Sequence, residues 1–343
     1  MKWYEETDQM HDVFVMKRLR LVRNIEGNVF PGRLNREERL ELLKQLEEKR
    51  LPELIKGDKD YSYCRLHELD EVSRSALFER RAINYSRVED PAPAGLALLE
   101  DESVSLVLGG EDHLRLQYLS GSMSLENMWS RMSSLDDLLG ENVPYAFDNK
   151  YGFLTAFMTN VGTGLRASVM LHLPMLSGGS QFRKLVQEYS RFGIAIKGMA
   201  GDSNENFGGL FEVKNQKTLG QSEEELIGLV SQAAGQLAAQ ERKVKSLALR
   251  SHRLQLEDEV CKSYGVLKYA RKLSYKEAMT YLSQLRLGLC ENLVQAEEPV
   301  NLFGIMLQIR PANLKKKGSV ELEGDALDEA RARYIREHLP IIR

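Results

Sequence analysis

The sequence predicts an α+β fold: an antiparallel β-sheet flanked by helices, followed by an all-helical carboxy-terminal domain. Three observations predict it. Strand-length apolar runs mix with helical stretches over the first two-thirds of the chain without a strict βαβ rhythm, which favours an antiparallel sheet. From about Ser222 onward the apolar spacing is almost wholly helical. Two capping boxes, Ser222 with Glu225 and Ser274 with Glu277, open long helices with one apolar face.

Each element follows in order. Residues 13–24, VFVMKRLRLVRN, begin as a strand and end as a basic stripe. Arg18 and Arg20 alternate along it, so both guanidinium groups point to one face. They repel each other there unless an anion sits between them; the alternative is a solvated basic edge strand. Residues 35–56 are charged, with Leu40, Leu43, Leu46 and Leu51 at roughly helical spacing. Arg87–Gly95, RVEDPAPAG, is a proline-rich connector. Ser103–Leu108 is a strand, and GGEDHLRLQ follows it directly. Asp148 to Pro174 carries a glycine-rich loop, Gly162 and Gly164, with Thr159, Asn160 and Thr163. It runs into Arg166 and a strand-like alternation, Val169, Leu171 and Leu173 against Ser168, Met170 and His172. A backbone able to approach an anion closely, followed by a fixed guanidinium, suits a phosphate site; a plain turn is the alternative. Phe192–Lys197 and Leu210–Lys214 are further strands. A mixed domain over residues 1–250 and a helical domain over 251–343 are expected, bridged by the helix that opens at Ser222.

Composition narrows the function classes. The 343 residues are 43% hydrophobic and 28% charged, as in ordinary globular proteins. A net charge of −3 gives no reason to expect nucleic acid or an anionic membrane as partner. No apolar run approaches the ~20 residues that span a bilayer, and the acidic, polar amino terminus is unlike a signal peptide. Cys64, Cys261 and Cys290 are few and far apart, with no disulfide framework or CxxC pair, so a reducing cytoplasm is expected.

No Walker loop, HRD–DFG pair, HExxH or nucleophile elbow occurs. LSGGSQ at Leu176–Gln181 is a chance likeness to an ATPase signature, since no Walker loop accompanies it. What remains is a set of scattered charges. Arg18, Arg20, Arg166 and Lys197 are candidate cations on strand or loop ends, with Arg115 as a fifth. Glu111 and Asp202 are the candidate carboxylates. Phosphoryl transfer needs several cations around a triphosphate and a carboxylate to orient the nucleophile. Taken singly, Glu111 with Arg115 also reads as a salt bridge, and Lys197-Gly198 with Gly201-Asp202 as a turn.

Together these segments resemble the phosphagen (guanidino) kinase superfamily, and within it the bacterial protein-arginine kinases. The family's S-x-R-x-R-L-A-R-N is similar to Met16–Asn24, and its N-E-E-D-H-(L/I)-R to Gly109–Arg115. T-x-C-P-T-N-x-G-T-G-L-R-A-S-V matches Thr155–Val169, R-G-x-x-G-E matches Lys197–Asp202, and N-Q-x-T-L-G matches Asn215–Gly220. The R-x-R strand lies near the start of the chain and a helical domain follows the catalytic one, an order that resembles the protein-arginine branch. The resemblance implies the guanidino kinase catalytic fold and ATP-dependent phosphorylation of arginine side chains in proteins, with Mg2+. It implies nucleotide binding by Arg18, Arg20, Arg115, Arg166, Ala167, Ser168, Val169, Lys197 and Gly198. Glu111 would be base and orienter and Asp202 a second guanidinium anchor. It also implies a homodimer, a McsA-type activator, links to Clp-type protease machinery and a cytoplasmic location. The family's phosphoarginine-binding R-D-x-x-R-A is similar to Leu327–Ala332, with Asp328, Arg331 and Ala332 matching and Leu327 in place of the first Arg. The alternative there is an amphipathic terminal helix with i,i+3 ion pairs.

Several positions depart from the family pattern. Phe157 replaces a cysteine thiolate and Met158 the proline after it. A neutral ring offers a cation only a weaker π contact, and it is large enough to occlude the substrate. Lys197 is a point charge in place of a bidentate fork, and Asp202 is one methylene shorter than Glu. Gly110 removes an acidic neighbour, Met16 replaces Ser, and Arg81 replaces a substrate-loop His. One lost electrostatic contact costs ~10²–10³ in rate. Two readings follow: a working, slowed protein-arginine kinase, favoured by the retained arginines, or a catalytically inactive pseudokinase acting as a regulatory nucleotide- or phosphoarginine-binding module. A helical scaffold that binds no nucleotide is the third.

Overall fold

The computed structural model describes residues 1–6, 13–57, 60–141, 144–199, 206–318 and 322–343. The first part contains β1 (Phe14–Arg23), α1 (Arg36–Gly57), β2 (Tyr61–Arg65), α2 (Glu71–Glu79), α3 (Ser86–Glu89), β3 (Gly95–Leu99), β4 (Val104–Leu108), β5 (Leu114–Ser120) and α4 (Leu125–Gly140). A small hairpin, β6 (Phe147–Asp148) and β7 (Gly152–Phe153), precedes β8 (Leu165–His172), α5 (Pro174–Ser177), α6 (Phe182–Arg191), β9 (Ile194–Gly198) and β10 (Leu210–Asn215). Helices follow: α7 (Glu223–Tyr269), α8 (Tyr275–Cys290), α9 (Leu302–Gln308), α10 (Pro311–Lys317) and α11 (Gly324–His338).

Eight strands form one sheet in the order β2-β3-β4-β5-β1-β8-β10-β9. The pairings from β2 through β5 to β1 are antiparallel. Register decides which side chains share a face. Arg20 lies opposite Gln117 and Val22 opposite Arg115. Opposed residues of an antiparallel pair point the same way, and side chains alternate along each strand. Arg18, Arg20, Gln117 and Arg115 therefore share one face. Leu19, Leu21 and Leu116 share the other and are buried there.

By compactness the chain forms two units. One comprises Met1–Trp3, Lys17–Ser168 and Lys214–Ser231; the other comprises Tyr4–Met16, Val169–Val213 and Gln232–Arg343. This division passes through strands. Within the first unit, Leu66, Leu77, Ala82, Ile83, Ala94, Leu96 and Val107 form a buried apolar cluster. It pins the chain on both sides of α3, each large side chain contributing ~1.5–3 kcal/mol by burial. Within the second unit, Leu282, Leu285, Met306, Leu307 and Ile335 are fully buried. His172 lies among them as a buried polar group: Nε2 meets the Ser283 hydroxyl at 2.7 Å and Nδ1 meets Arg286 Nη1 at 2.9 Å.

Both capping boxes form as the spacing predicts: Ser222 with Glu225 opens α7 and Ser274 with Glu277 opens α8. The continuous helix expected from Ser222 is broken at His252, whose φ of −138° is not helical. One further reading needs correction. The stretch 87–95 is not all connector, because α3 occupies its start. GGEDHLRLQ leads into a full strand, β5, buried at every position. On β8 the alternation does not separate a wet face from a dry one: Ser168, Met170 and His172 are as buried as Val169 and Leu171.

Candidate active site

The site is built on the shared face of β1 and β5 and on the loop before β8. That loop makes a 3-10 turn, Met158–Asn160, whose Asn160 side chain is buried. Asn160 Oδ1 accepts from Arg20 Nη2 at 3.2 Å and from Arg166 Nε at 3.2 Å. Arg166 also donates through Nη1 to the Asn215 carbonyl at 2.7 Å and through Nη2 to the Thr159 carbonyl. Asn215 in turn accepts from the Ala167 N–H at 2.9 Å and donates to the Leu165 carbonyl at 3.0 Å. The guanidinium of Arg166 is thus fixed by three acceptors from two segments of chain.

The two loop glycines serve a different purpose from the one expected. Gly162 has φ +111° and a Cβ there would lie 2.2 Å from the Thr218 carbonyl oxygen. Gly164 has φ +69° and a Cβ would lie 2.7 Å from the Val22 carbonyl oxygen. The loop N–H groups are spent inside the protein: Gly162 on Phe153, Thr163 on Thr218 and Leu165 on the Thr163 hydroxyl. Close backbone packing, and not an anion cradle, requires glycine here. The anion-binding capacity of the region lies in its arginine side chains.

Those arginines are crowded. Burial and then the charges of Arg18 and Arg166 push Arg20 down to about 10, against the pull of Asp112 and Glu111. Burial, followed by Arg20 and Arg18, pushes Arg115 down to about 9. Burial also lowers Arg166. Arg115 donates from Nη2 to Gln117 Oε1 at 3.2 Å, while its Nε and Nη1 are buried without a hydrogen-bond partner, as is Nε of Arg20. Orphaned donors on mutually repelling cations fit the oxygens of a polyphosphate.

Glu111 stands beside them but does not form the expected pair with Arg115. Its Oε1 accepts from Asn84 Nδ2 at 2.9 Å and from the Ser86 hydroxyl, and Arg87 Nη2 lies 3.6 Å away. Burial alone would raise this carboxyl, but the Ser86 bond, the Arg87 charge and the Asn84 bond outweigh it, so the group lies below its ordinary value. It is held as an anion. The neighbouring Asp112 is raised, chiefly by burial, while accepting from the Ala156 N–H and Asn24 Nδ2, each at 2.7 Å. His113 is fully buried with Nδ1 2.7 Å from Asn24 Oδ1. Asp112 and His113 therefore brace the turn that presents Glu111.

Arg23 braces the loop from the other side. It donates to Asp136 at 2.7 Å and to the Thr163 carbonyl at 2.8 Å, and its guanidinium lies 3.5 Å from the centre of the Phe153 ring. Phe157 is 55% exposed and Met158 90% exposed. At that exposure the ring projects from the turn and does not plug its interior.

The remaining expected residues are placed as follows. Ala167, Ser168 and Val169 are buried within β8, and the Ala167 N–H is already bonded. Lys197 is exposed on β9, next to Gly198, in the second unit. Asp202 lies outside the described residues. Asp328 on α11 is part-exposed, but Arg331 is 1% exposed, bonded to the carbonyls of Leu273 at 2.8 Å and Ile309 at 3.2 Å and to Asp328 itself. Ala332 is fully buried beside it. Sequence reading passed over Asn84, Ser86 and Arg87, and gave Asn160 no role. Only Asn160 carried a signal, its place within T-N-x-G-T-G. Among the described residues, no three of His, Cys, Asp and Glu gather into a metal-binding group, and no helix is long and apolar enough to cross a membrane.

Comparison with known proteins adds the following. Residues 42–244 match the model of the ATP:guanido phosphotransferase C-terminal catalytic domain, and residues 253–342 that of the protein-arginine kinase McsB C-terminal domain. The protein-arginine kinase of Desulforamulus reducens is 37% identical over 342 residues, covering 98% of this chain and 95% of the relative. That of Moorella thermoacetica is 37% identical over 339 residues, covering 98% and 97%. Among solved structures, a lombricine kinase is similar with a TM-score of 0.57 at 21% identity, covering 71% of this chain and 72% of its own. A duplicated taurocyamine kinase from Schistosoma mansoni gives 0.59 at 23% identity, covering 78% of this chain and 38% of its own. At those identities the structural likeness speaks for the fold alone.

Proposed function

Because the chain belongs to the ATP:guanido phosphotransferase family and, within it, to the protein-arginine kinases, we propose that it transfers the γ-phosphoryl group of ATP to arginine side chains of proteins. One observation carries the reading: the mutually repelling arginines, led by Arg20 and Arg115, stand beside a carboxylate, Glu111, that its neighbours hold ionised. A triphosphate relieves that repulsion and gives the orphaned N–H donors their acceptors. Arg18, Arg20, Arg115 and Arg166 hold the phosphates in line. Glu111 orients the substrate guanidinium, which is a poor nucleophile because its pKa exceeds ~12. A guanidinium nitrogen attacks the γ-phosphorus; the N–P bond forms as the bond to the β–γ bridging oxygen breaks. The proton released from nitrogen passes to the carboxylate, and ADP leaves. Positioning and electrostatics supply most of the acceleration.

In this proposal Mg2+, when bound with the nucleotide, would supply neutralising charge to the triphosphate beside the arginines. The family resemblance further assigns Lys197 and Gly198 to the nucleotide and Asp202 to the guanidinium as its second anchor. The buried Ala167, Ser168 and Val169 support the strand that carries Arg166. Asp328 offers a carboxylate to the guanidino end of a phosphoarginine, supported from within by Arg331 and Ala332. A homodimer, a McsA-type activator, Clp-type protease machinery and a cytoplasmic location belong to the same proposal.

The test is incubation of the full chain with labelled ATP, Mg2+ and an arginine-rich protein, with and without such an activator. Acid-labile label on arginine that vanishes with Glu111→Gln is the expected result. Nucleotide binding without transfer, unchanged by Phe157→Cys, would instead identify a non-catalytic binding module.

A further inference from the structure

We infer that Arg87, which lies outside every stretch matched to the family motifs, is a further phosphate-holding residue that contacts the γ-phosphoryl group during transfer. The inference rests on the kinase reading of the site given above. Arg87 sits on α3, its backbone N–H bonded to the Asn84 carbonyl at 3.1 Å. The same short segment supplies the Asn84 and Ser86 groups that bond Glu111. The Arg87 side chain is 4% exposed. Its Nη2 forms long ion pairs with Asp90 Oδ2 at 3.5 Å and Glu111 Oε1 at 3.6 Å, without a short hydrogen bond to either. Its Nε and Nη1 are buried and have no hydrogen-bond partner.

A guanidinium is seldom buried with so many donors unmatched, because each loses its water and gains nothing. An oxyanion with several acceptor oxygens satisfies them at once. Location says which one. Arg87 is close enough to Arg115 to depress it, and it faces the carboxylate that takes the attacking guanidinium. That is the end of the nucleotide where the phosphoryl group changes hands. Arg87 therefore supplies a planar, multidentate cation at the reacting centre, in a chain whose glycine-loop cation is the single-point Lys197.

The prediction is selectivity for the third phosphate. Equilibrium binding of ATP and of ADP, each with Mg2+, is measured calorimetrically on the full chain, the Arg87→Gln variant and the Arg87→Lys variant. Arg87→Gln is expected to weaken ATP binding about 10- to 100-fold while leaving ADP binding unchanged, with Arg87→Lys between. Equal losses for ATP and ADP, or no loss for either, overturn the inference. A lower KM for the arginine substrate with unchanged ATP binding also overturns it, since Arg87 would then merely occupy the place of the substrate guanidinium. Should Arg87→Gln fail to fold, as judged by its melting curve, Arg87→Lys decides by the same ratio. A wild-type chain that binds ATP more tightly than ADP but transfers nothing defeats the kinase reading alone, because the binding ratio is read without turnover.

Discussion

Arg20 and Arg166 share one acceptor. Asn160 Oδ1 lies 3.2 Å from Nη2 of the first and 3.2 Å from Nε of the second. Two cations from different strands are thereby held at a fixed spacing by a neutral amide that cannot discharge either. Asn160→Ala removes the link and leaves the charges. The expected result is a fall of about 10- to 100-fold in kcat/KM for ATP, with little change in melting temperature, because the rest of the loop keeps its backbone bonds. Steady-state kinetics beside a thermal melt check it. An unchanged kcat/KM would show that the arginines hold their geometry unaided.

The ionised state of Glu111 is set by its neighbours, the hydroxyl of Ser86 foremost among them. Ser86→Ala takes away the largest lowering contribution, so the carboxyl rises. A base with a raised pKa loses activity sooner as pH falls. The acid limb of the kcat/KM profile should move to higher pH while the alkaline plateau is retained. A limb that stays in place would mean that some other group governs it.

Much of this was legible in the linear chain, and the remainder for identifiable reasons was not. Alternation along a strand put Arg18 and Arg20 on one face before any coordinates, and the capping boxes placed the starts of α7 and α8. The partner of Glu111 was not legible. Arg115 is its neighbour in sequence, but Arg87 reaches it through a fold in the chain. Asn84 and Ser86 follow no periodic pattern that marks a site. Gly162 showed that glycine was needed but not why: an anion and a carbonyl oxygen at close range make the same demand on a Cβ. The alternation on β8 marked a strand but could not tell its surroundings, because a polar residue there is buried with partners, His172 with Ser283 and Arg286.

That buried imidazole gives stability a pH dependence. Burial, with Arg286 and Lys245 adding to it, lowers His172 well below its ordinary value, and burial lowers His113 to about 4. In the unfolded chain each binds a proton near pH ~6.5. As pH falls below that value the unfolded state takes up protons that the folded state refuses, so stability drops. Each site contributes up to ~1.4 kcal/mol per pH unit until its folded-state value is reached. His172→Gln should flatten the loss between about pH 6.5 and 5 without abolishing it, since the His113 share persists. Urea denaturation at stepped pH measures the slope. An identical slope in wild type and variant would remove His172 from the account.

Arg331 is predicted to act first as a brace. Replacing it by Ala strands the carbonyls of Leu273 and Ile309 and the carboxylate of Asp328. The expected destabilisation is roughly 3 kcal/mol or more. Chemical denaturation monitored within the helical region checks this. A variant that keeps its stability but no longer binds free phosphoarginine would show that the side chain serves a ligand instead.

The exposed ring at Phe157 has a practical consequence. Catalysts that depend on an active-site thiolate are silenced by iodoacetamide or by peroxide, which convert sulfur to a thioether or an oxyacid. Here no sulfur nucleophile stands at that position, and the one exposed thiol, Cys261, belongs to α7. Thiol alkylation therefore has no target at that position of this chain. What looks like a lost catalytic group is then a form of chemical hardiness.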